Sequence, residues 1–318
     1  MKNMILRFLI SLAVVLLVPY TITMAMTGVK ETDEVIVPYD GRIVIVESSN
    51  SVSQNVDYSQ YLAGMTARNL ISFDENVWNY PEFIKLNCVI SNTLLTEAFP
   101  DCDVLSEEFL TEHYISEEEL KKLWGEKFST RMDIIKNALN ETKGLVITCD
   151  STPIKPFYHM ISNGMTRPSM DTGKYPYLKS VNTNKDLEEK GFLCVRQYES
   201  LDFINVINEN FENTGLDKNI TSLKENIQII SRDDAGYITQ LQIGNLRMSG
   251  DDFMNLFSIN SSSFTLTFQE NSLKIITKGI GHGYGISLSY ALTLAEEGKS
   301  YPDIIQFFYE NVEIKNYE

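Results

Sequence analysis

Apolar positions recur at helical spacing twice in the first third of the chain. Residues 58–70 place Tyr61, Leu62, Met65 and Leu70 on one stripe, and residues 83–99 repeat the pattern with Ile84, Leu86, Cys88, Ile90, Leu94 and Leu95. The two read as a helical hairpin. Their connection, 71–81, carries Asp74, Glu75 and Trp78, and a loop of that kind can face a cleft. Ser116 ahead of Glu117, Glu118 and Glu119 is an N-cap followed by first-turn acids, which predicts a surface helix over 117–128, continued over 133–139.

Strand signals lie between and after these helices. The β-branched run 42–47 reads as a strand and 48–57 as a polar loop without core-building residues. Residues 144–149 and 154–160 flank a turn at 150–153, predicting a hairpin. A polar loop at 162–168 follows, of the kind that contacts ligands, then an aromatic extended stretch at 175–181 and a solvated one at 182–191. A helix is expected over 201–213. Residues 237–244 alternate as a half-buried strand, 250–257 form a short helix, and 263–269 pairs with 272–277 through Glu270 and Asn271. Two helices, 287–297 and 302–309, close the chain around Gly298. The order is mixed rather than regularly alternating, so the class is α+β, with helices and antiparallel strands.

One stretch fits neither period. Gly279-Ile280-Gly281-His282-Gly283-Tyr284-Gly285-Ile286-Ser287 alternates glycine with larger residues, and glycine weakens strand and helix alike. It reads as main chain brought close to something, presenting an imidazole and a hydroxyl, and hence as a wall of a substrate cleft. The other reading is a tight turn with a surface histidine. The spacing is not that of a dinucleotide-binding loop.

Composition narrows the function classes. The 318 residues carry Lys+Arg 27 against Asp+Glu 43, a net charge of −16, and such a surface repels phosphodiester backbones, which excludes nucleic acid as a partner. The N-terminus is positive through Lys2 and Arg7, and 8–26 contains no charge, nearly the ~20 apolar residues of a membrane span. Pro19 and the threonines at 21 and 23 weaken its second half, and a signal peptide is the rival reading. The expected organisation is a membrane anchor at 1–27, a linker at 28–41 and one domain at 42–316, held outside the cytoplasm. Cys88, Cys102, Cys149 and Cys194 form no close pair, and with His113, His159 and His282 they match no zinc spacing, so buried thiols are expected rather than a disulfide framework.

The C-terminal stretch resembles the stage II sporulation protein D family, also found in amidase enhancers. The family pattern G-Y-G-H-G-V-G-M-S-Q-Y-G-A, with E-G-K-S-Y after a helix, is similar to 279–291 and to Glu297-Gly298-Lys299-Ser300-Tyr301. Support comes from Glu141-Thr142-Lys143-Gly144, from Phe157-Tyr158-His159 with Ser162 and Gly164, from Tyr175-Pro176-Tyr177-Leu178, and from Ser249-Gly250 with Phe253. The resemblance runs from about Arg42 to about Ile314. It implies a membrane-anchored lytic transglycosylase that cleaves peptidoglycan glycan strands beside partner enzymes, located in the outer forespore membrane if sporulation-specific. One carboxylic acid suffices for that chemistry: it protonates the glycosidic oxygen and then takes a proton from the sugar's own hydroxyl.

Here the chain departs from the pattern. Where the family has Y-L-x-G-V-V-A-x-E-M, residues 61–70 place Asn69 at the acid, and a carboxamide cannot donate a proton at a useful pKa. The following helix loses a Gln and an Arg around Asn92, and Leu288-Ser289 replaces Gln-Tyr. Some members are implied to hold zinc near the segment aligned with His159, but 160–163 contains no cysteine, so neither metal nor cofactor is expected. Three readings follow. A catalytically impaired glycan binder would use His282, Ser287, Tyr284, His159, Ser162 and Asn92. A working transglycosylase would use a displaced acid from Asp74, Glu75 and Glu82. An envelope or engulfment interaction module would bind no sugar. Trp78, Tyr80, Tyr175 and Tyr177 are candidates to stack on sugar rings or to pack internally.

Overall fold

A computed structural model describes residues 43–46, 54–99, 104–105, 109, 112–216, 223–269 and 271–317. The anchor and linker expectations fall outside these residues, and among the described residues no helix is long and apolar enough to cross a membrane.

The chain opens with β1 (Ile43–Val46) and β2 (Gln54–Asp57), which pair antiparallel, so the end of the expected polar loop is a strand. Helices α1 (Tyr58–Leu70) and α2 (Pro81–Ala98) form the predicted hairpin. β3 (Val104–Leu105) adds to β1 in parallel. Next come α3 (Glu117–Trp124) and α4 (Phe128–Glu141), then β4 (Leu145–Cys149), β5 (Thr152–Pro153) and β6 (Tyr158–His159). The second half supplies β7 (Leu193–Glu199), α5 (Ser200–Asn210), α6 (Leu223–Asn226), β8 (Ile227–Arg232), β9 (Ile238–Ile243), β10 (Leu246–Met248) and α7 (Gly250–Leu256). It closes with β11 (Phe264–Phe268), β12 (Ser272–Lys278), β13 (Ile286–Ser287), α8 (Leu288–Glu296), α9 (Tyr301–Phe308) and β14 (Glu313–Asn316).

The first core is built on α2. Phe83, Ile84, Leu86, Cys88, Val89 and Ile90 are all fully buried, which covers every face of the helix and marks it as central rather than amphipathic. Each such side chain contributes on the order of 1.5–3 kcal/mol by leaving water. Polar residues on this helix serve as stitches to the neighbouring strand. Thr93 Oγ1 accepts the Ile147 N–H at 2.9 Å, and Asn92 Nδ2 donates to the Leu145 carbonyl at 2.9 Å. α8 and α9 pack on the same helix through Ala291, Ile304, Ile305 and Phe308. Ser116, Ser249 and Ser300 each close a capping box at the start of their helix, worth about 1 kcal/mol apiece.

The second core lies between two antiparallel sheets, β10-β9-β8 and β11-β12-β7, and is filled by Phe203, Phe253, Phe257 and Phe264. Phe203 and Phe257 stack at 4.6 Å. β11 and β12 pair antiparallel, as the predicted hairpin requires.

Two of the expectations are corrected. The partner of β4 in its hairpin is only the two-residue β5, while β6 pairs in parallel with β13, because the proline at 156 and the approach of the glycine stretch divert the chain. Residues 182–191 are not simply solvated, since Thr183 and Asp186 are buried. Strand β7 carries Leu193 and Val195 on its exposed side, the reverse of the usual alternation, and forms through seven paired positions with β12.

Candidate functional site

The parallel pairing of β6 with β13 sets His159 beside Ser287 and draws the glycine stretch across His159. Gly281 sits at φ +112°, and a Cβ there would lie 2.6 Å from that of His159. Gly285, at φ +67°, would place one 2.0 Å from the Phe157 carbonyl oxygen. Only glycine permits both the left-handed backbone and this approach. The main chain is held there by Ile280 N–H to the Ile161 carbonyl and Gly281 N–H to the Asn260 carbonyl, both 2.7 Å.

These contacts fix two imidazoles 5.8 Å apart with opposite tautomers. His159 Nδ1 lies 3.1 Å from the Tyr284 carbonyl, which can only accept, so Nδ1 carries the proton and Nε2 is a bare acceptor. That Nε2 is buried with no hydrogen-bond partner among the described residues. His282 Nδ1 instead accepts the Tyr284 N–H at 3.0 Å, which leaves the proton on its Nε2. Burial pushes His159 down to about 3, with His282 adding to the effect, and pushes His282 down to about 4. Both rings are neutral at pH 7. His282 thus carries a donor on Nε2, while the bare acceptor of His159 is buried.

Two buried nodes brace this wall. Arg167, only 2% exposed, lies 4.1 Å from the Tyr284 ring centre and 5.1 Å from that of Tyr237. Its Nε donates to Asp233 at 2.6 Å and its Nη1 to Asp251 at 2.8 Å and to the His282 carbonyl at 3.2 Å. The other node is Asp186, whose Oδ2 accepts from the Ser162 N–H at 2.8 Å and from Ser287 Oγ at 2.6 Å. Burial pushes Asp186 up to about 6, the hydrogen bonds from Ser287 and Ser162 opposing it.

The opposite wall is the end of α1. Asn69 is 7% exposed and lines a cleft of about 510 Å³ with Arg68, Glu112, His113, Lys155, Phe157, Tyr158, His159 and His282. Burial pushes the Tyr158 phenol up to about 12, against a hydrogen bond from Asn69. The phenol also lies 3.4 Å from His113 Nδ1. Beyond Ser72 and Met160, which both lobes share, a second lobe of about 650 Å³ is lined by Asp74, Glu189, Lys190 and Glu296.

The structure thus brings Asn69, His159 and His282 together. Tyr284 stands behind them, buried against Arg167. Ser162, Ser287 and Asn92 do not line the cleft. Ser162 and Ser287 are committed to Asp186, and Asn92 binds Tyr58 and the Leu145 carbonyl, so each supports the wall from within. Of the displaced acids, Asp74 faces the second lobe. Glu75 is taken by Arg131 and Lys127, and Glu82 by Lys85 and the Tyr301 N–H. Trp78 packs on Trp124 at 5.4 Å and Tyr177 is buried, which withdraws both from sugar stacking. Sequence reading passed over Arg167, Asp186, Glu112 and His113. Only His113 left a signal, as one of three histidines.

Around His159 the donor set does not fit a zinc ion. Its Nδ1 is engaged, the next segment has no cysteine, and among the described residues no group of three His, Cys, Asp or Glu side chains is arranged for a metal. Cys88 is buried, with its thiol pushed up to about 12, and Cys149 and Cys194 are free thiols, while Cys102 lies outside the described residues.

No family model matches the chain. It is 23% identical over 282 residues to the stage II sporulation protein D of Bacillus subtilis strain 168, covering 86% of this chain and 78% of that protein. With the stage II sporulation protein D of Bacillus amyloliquefaciens it shares 25% over 292 residues, again 86% and 78%. Over most of its length the chain is thus distantly similar to stage II sporulation protein D. An uncharacterized protein of Brachyspira hyodysenteriae is 32% identical over 97 residues, 30% of this chain and 26% of that one. The two histidines of the glycine wall and the amide at position 69 line the same cleft.

Proposed function

We propose that this member binds peptidoglycan glycan strands in the cleft between α1 and the glycine wall, as part of cell-wall remodelling in sporulation, and that its catalysis is impaired. The reading rests above all on Asn69, which lines the cleft with His159 and His282 but has no ionisable proton to give. A hydroxyl-rich ligand suits walls that present an imidazole donor and an amide beside the Phe157 ring. Similarity to two proteins named for sporulation, over most of the chain, supports the biological setting. We place the domain outside the cytoplasm, anchored in the cell membrane through residues 1–27, in the outer forespore membrane if the protein is sporulation-specific. Envelope or engulfment proteins are its further partners.

The test is sedimentation with intact sacculi, followed by digestion of purified peptidoglycan, for the full-length chain and for Asn69→Glu. Both proteins are expected to sediment with sacculi. The variant should release anhydro-muropeptides about 10²–10⁴-fold faster, the usual contribution of a placed general acid. Failure of the unsubstituted chain to bind sacculi would reject the proposal in favour of an interaction module.

A further inference from the structure

We propose that the cleft retains a proton carrier in His113, so that loss of the carboxylate at position 69 slows glycan cleavage without abolishing it. This rests on the reading of the cleft as a glycan site. His113 lines the same cleft as Asn69. Its Nδ1 is 3.4 Å from the Tyr158 hydroxyl, and its Nε2 is 3.7 Å from Glu112 Oε2. The Tyr158 phenol in turn takes a hydrogen bond from Asn69. A polar row therefore runs from the exposed Glu112 through His113 and Tyr158 to the position of the missing acid. Glu112 is the one carboxylate among the described residues lining this cleft.

The row assigns roles by chemistry. Imidazole is the side chain whose proton exchanges near neutral pH, and a carboxylate at its second nitrogen stabilises the charged ring and fixes its orientation. Glu112 is thus a positioning residue. The phenol of Tyr158, pushed up to about 12, holds its own proton too tightly. His159 and His282 are pinned by main-chain hydrogen bonds and stay neutral well below pH 7. His113 is only half-buried, and with Nδ1 held by Tyr158 the nitrogen left to serve a ligand is Nε2, beside Glu112.

The step closes without water. Protonated Nε2 gives its proton to the glycosidic oxygen as the C1–O bond breaks with its electron pair. The C6 hydroxyl of the same sugar forms a bond to C1 and returns its proton to Nε2. One anhydro sugar and one free hydroxyl end result, and the ring finishes as it began. Burial holds His113 below the ordinary imidazole range, with Lys155 and Arg68 acting in the same sense and Glu112 against them. Tyr158 and Asn69, the other groups beside it, are uncharged. The protonated fraction, and with it the rate, rises as pH falls below about 6.5.

The experiment digests purified peptidoglycan with the full-length chain from about pH 5 to about pH 8, across the imidazole range, and counts anhydro-muropeptides by mass spectrometry. Slow release that increases towards acid is expected, with a loss of at least about tenfold in His113→Gln. His113→Gly should recover part of the activity when imidazole is added, a rescue that a purely structural residue would not give. Glu112→Gln should move the pH profile towards acid. Equal release by His113→Gln and its parent overturns the assignment. So does binding of sacculi with no anhydro product at any pH, which leaves glycan binding standing. Absence of sacculus binding overturns both.

Discussion

The two walls of the cleft are built in opposite ways. On the glycine side the groups around the imidazoles are tied largely to main chain or to a buried charge, through Arg167, Asp186 and the glycines that admit close approach. On the α1 side, Arg68, Glu112 and Lys155 reach the cleft from exposed positions, and the contacts of His113 are long. The first wall is preorganised and tolerates little change. The second is where a substitution such as the amide at 69 can be accepted without cost to the fold, so chemistry can drift there while the scaffold stays.

Breaking the rigid wall at its centre should have the largest effect. Arg167→Ala leaves Asp233 and Asp251 without their partner and the His282 carbonyl without its donor, and is expected to cost on the order of 3–5 kcal/mol in denaturant unfolding. A loss within about 0.5 kcal/mol, the range of ordinary surface changes, would place the brace elsewhere.

The acid dependence sharpens the same contrast. Unfolded histidines bind a proton near about 6.5, whereas His282 and His159 do so only near about 4 and about 3 in the folded chain. Between those values the unfolded chain holds more protons, so stability rises with pH and is lost as pH falls from about 6.5 towards 4. Asp186 acts with the opposite sign, because burial pushes it up to about 6 from the ordinary 3.8 and the folded chain holds the extra proton between them. Asp186→Asn should therefore lose stability more steeply between about pH 6 and 4 than the parent, as read by thermal melts. Parallel curves would contradict the assignment of a raised Asp186.

The smallest effect is expected on the pliant wall. Arg68→Ala should change stability by no more than about 0.5 kcal/mol while weakening sacculus binding, measured by sedimentation. A large stability loss would show that both walls are equally fixed.

Much of this was legible in the chain. The helices at 58–70 and 83–99, the capping serine at 116 and the β11–β12 hairpin follow from local period and capping, which are properties of neighbouring residues. The glycine stretch announced a close approach, and Gly281 against His159 is one. What the sequence hid are groups whose surroundings come from afar. Asp186 reads as a charge in a solvated stretch, yet it is buried by Ser162 and Ser287, 24 and 101 positions away. Arg167 looks like a loop cation, and its partners Asp233 and Asp251 lie 66 and 84 positions on. Strand β7 sets Leu193 and Val195 outward, which leaves no clean alternation to read there.

Arg167 has one more consequence. It ties Tyr284, which belongs to the helical core, to Asp233, which follows β8, and to Asp251 in the first turn of α7, both beside the β-sheet core. A guanidinium shared in this way makes the two halves mutually dependent, so neither can open far without stranding a charge in the other. The molecule should melt as a single cooperative unit, and its slowest-exchanging amides should be found on both sides of that joint rather than in one half.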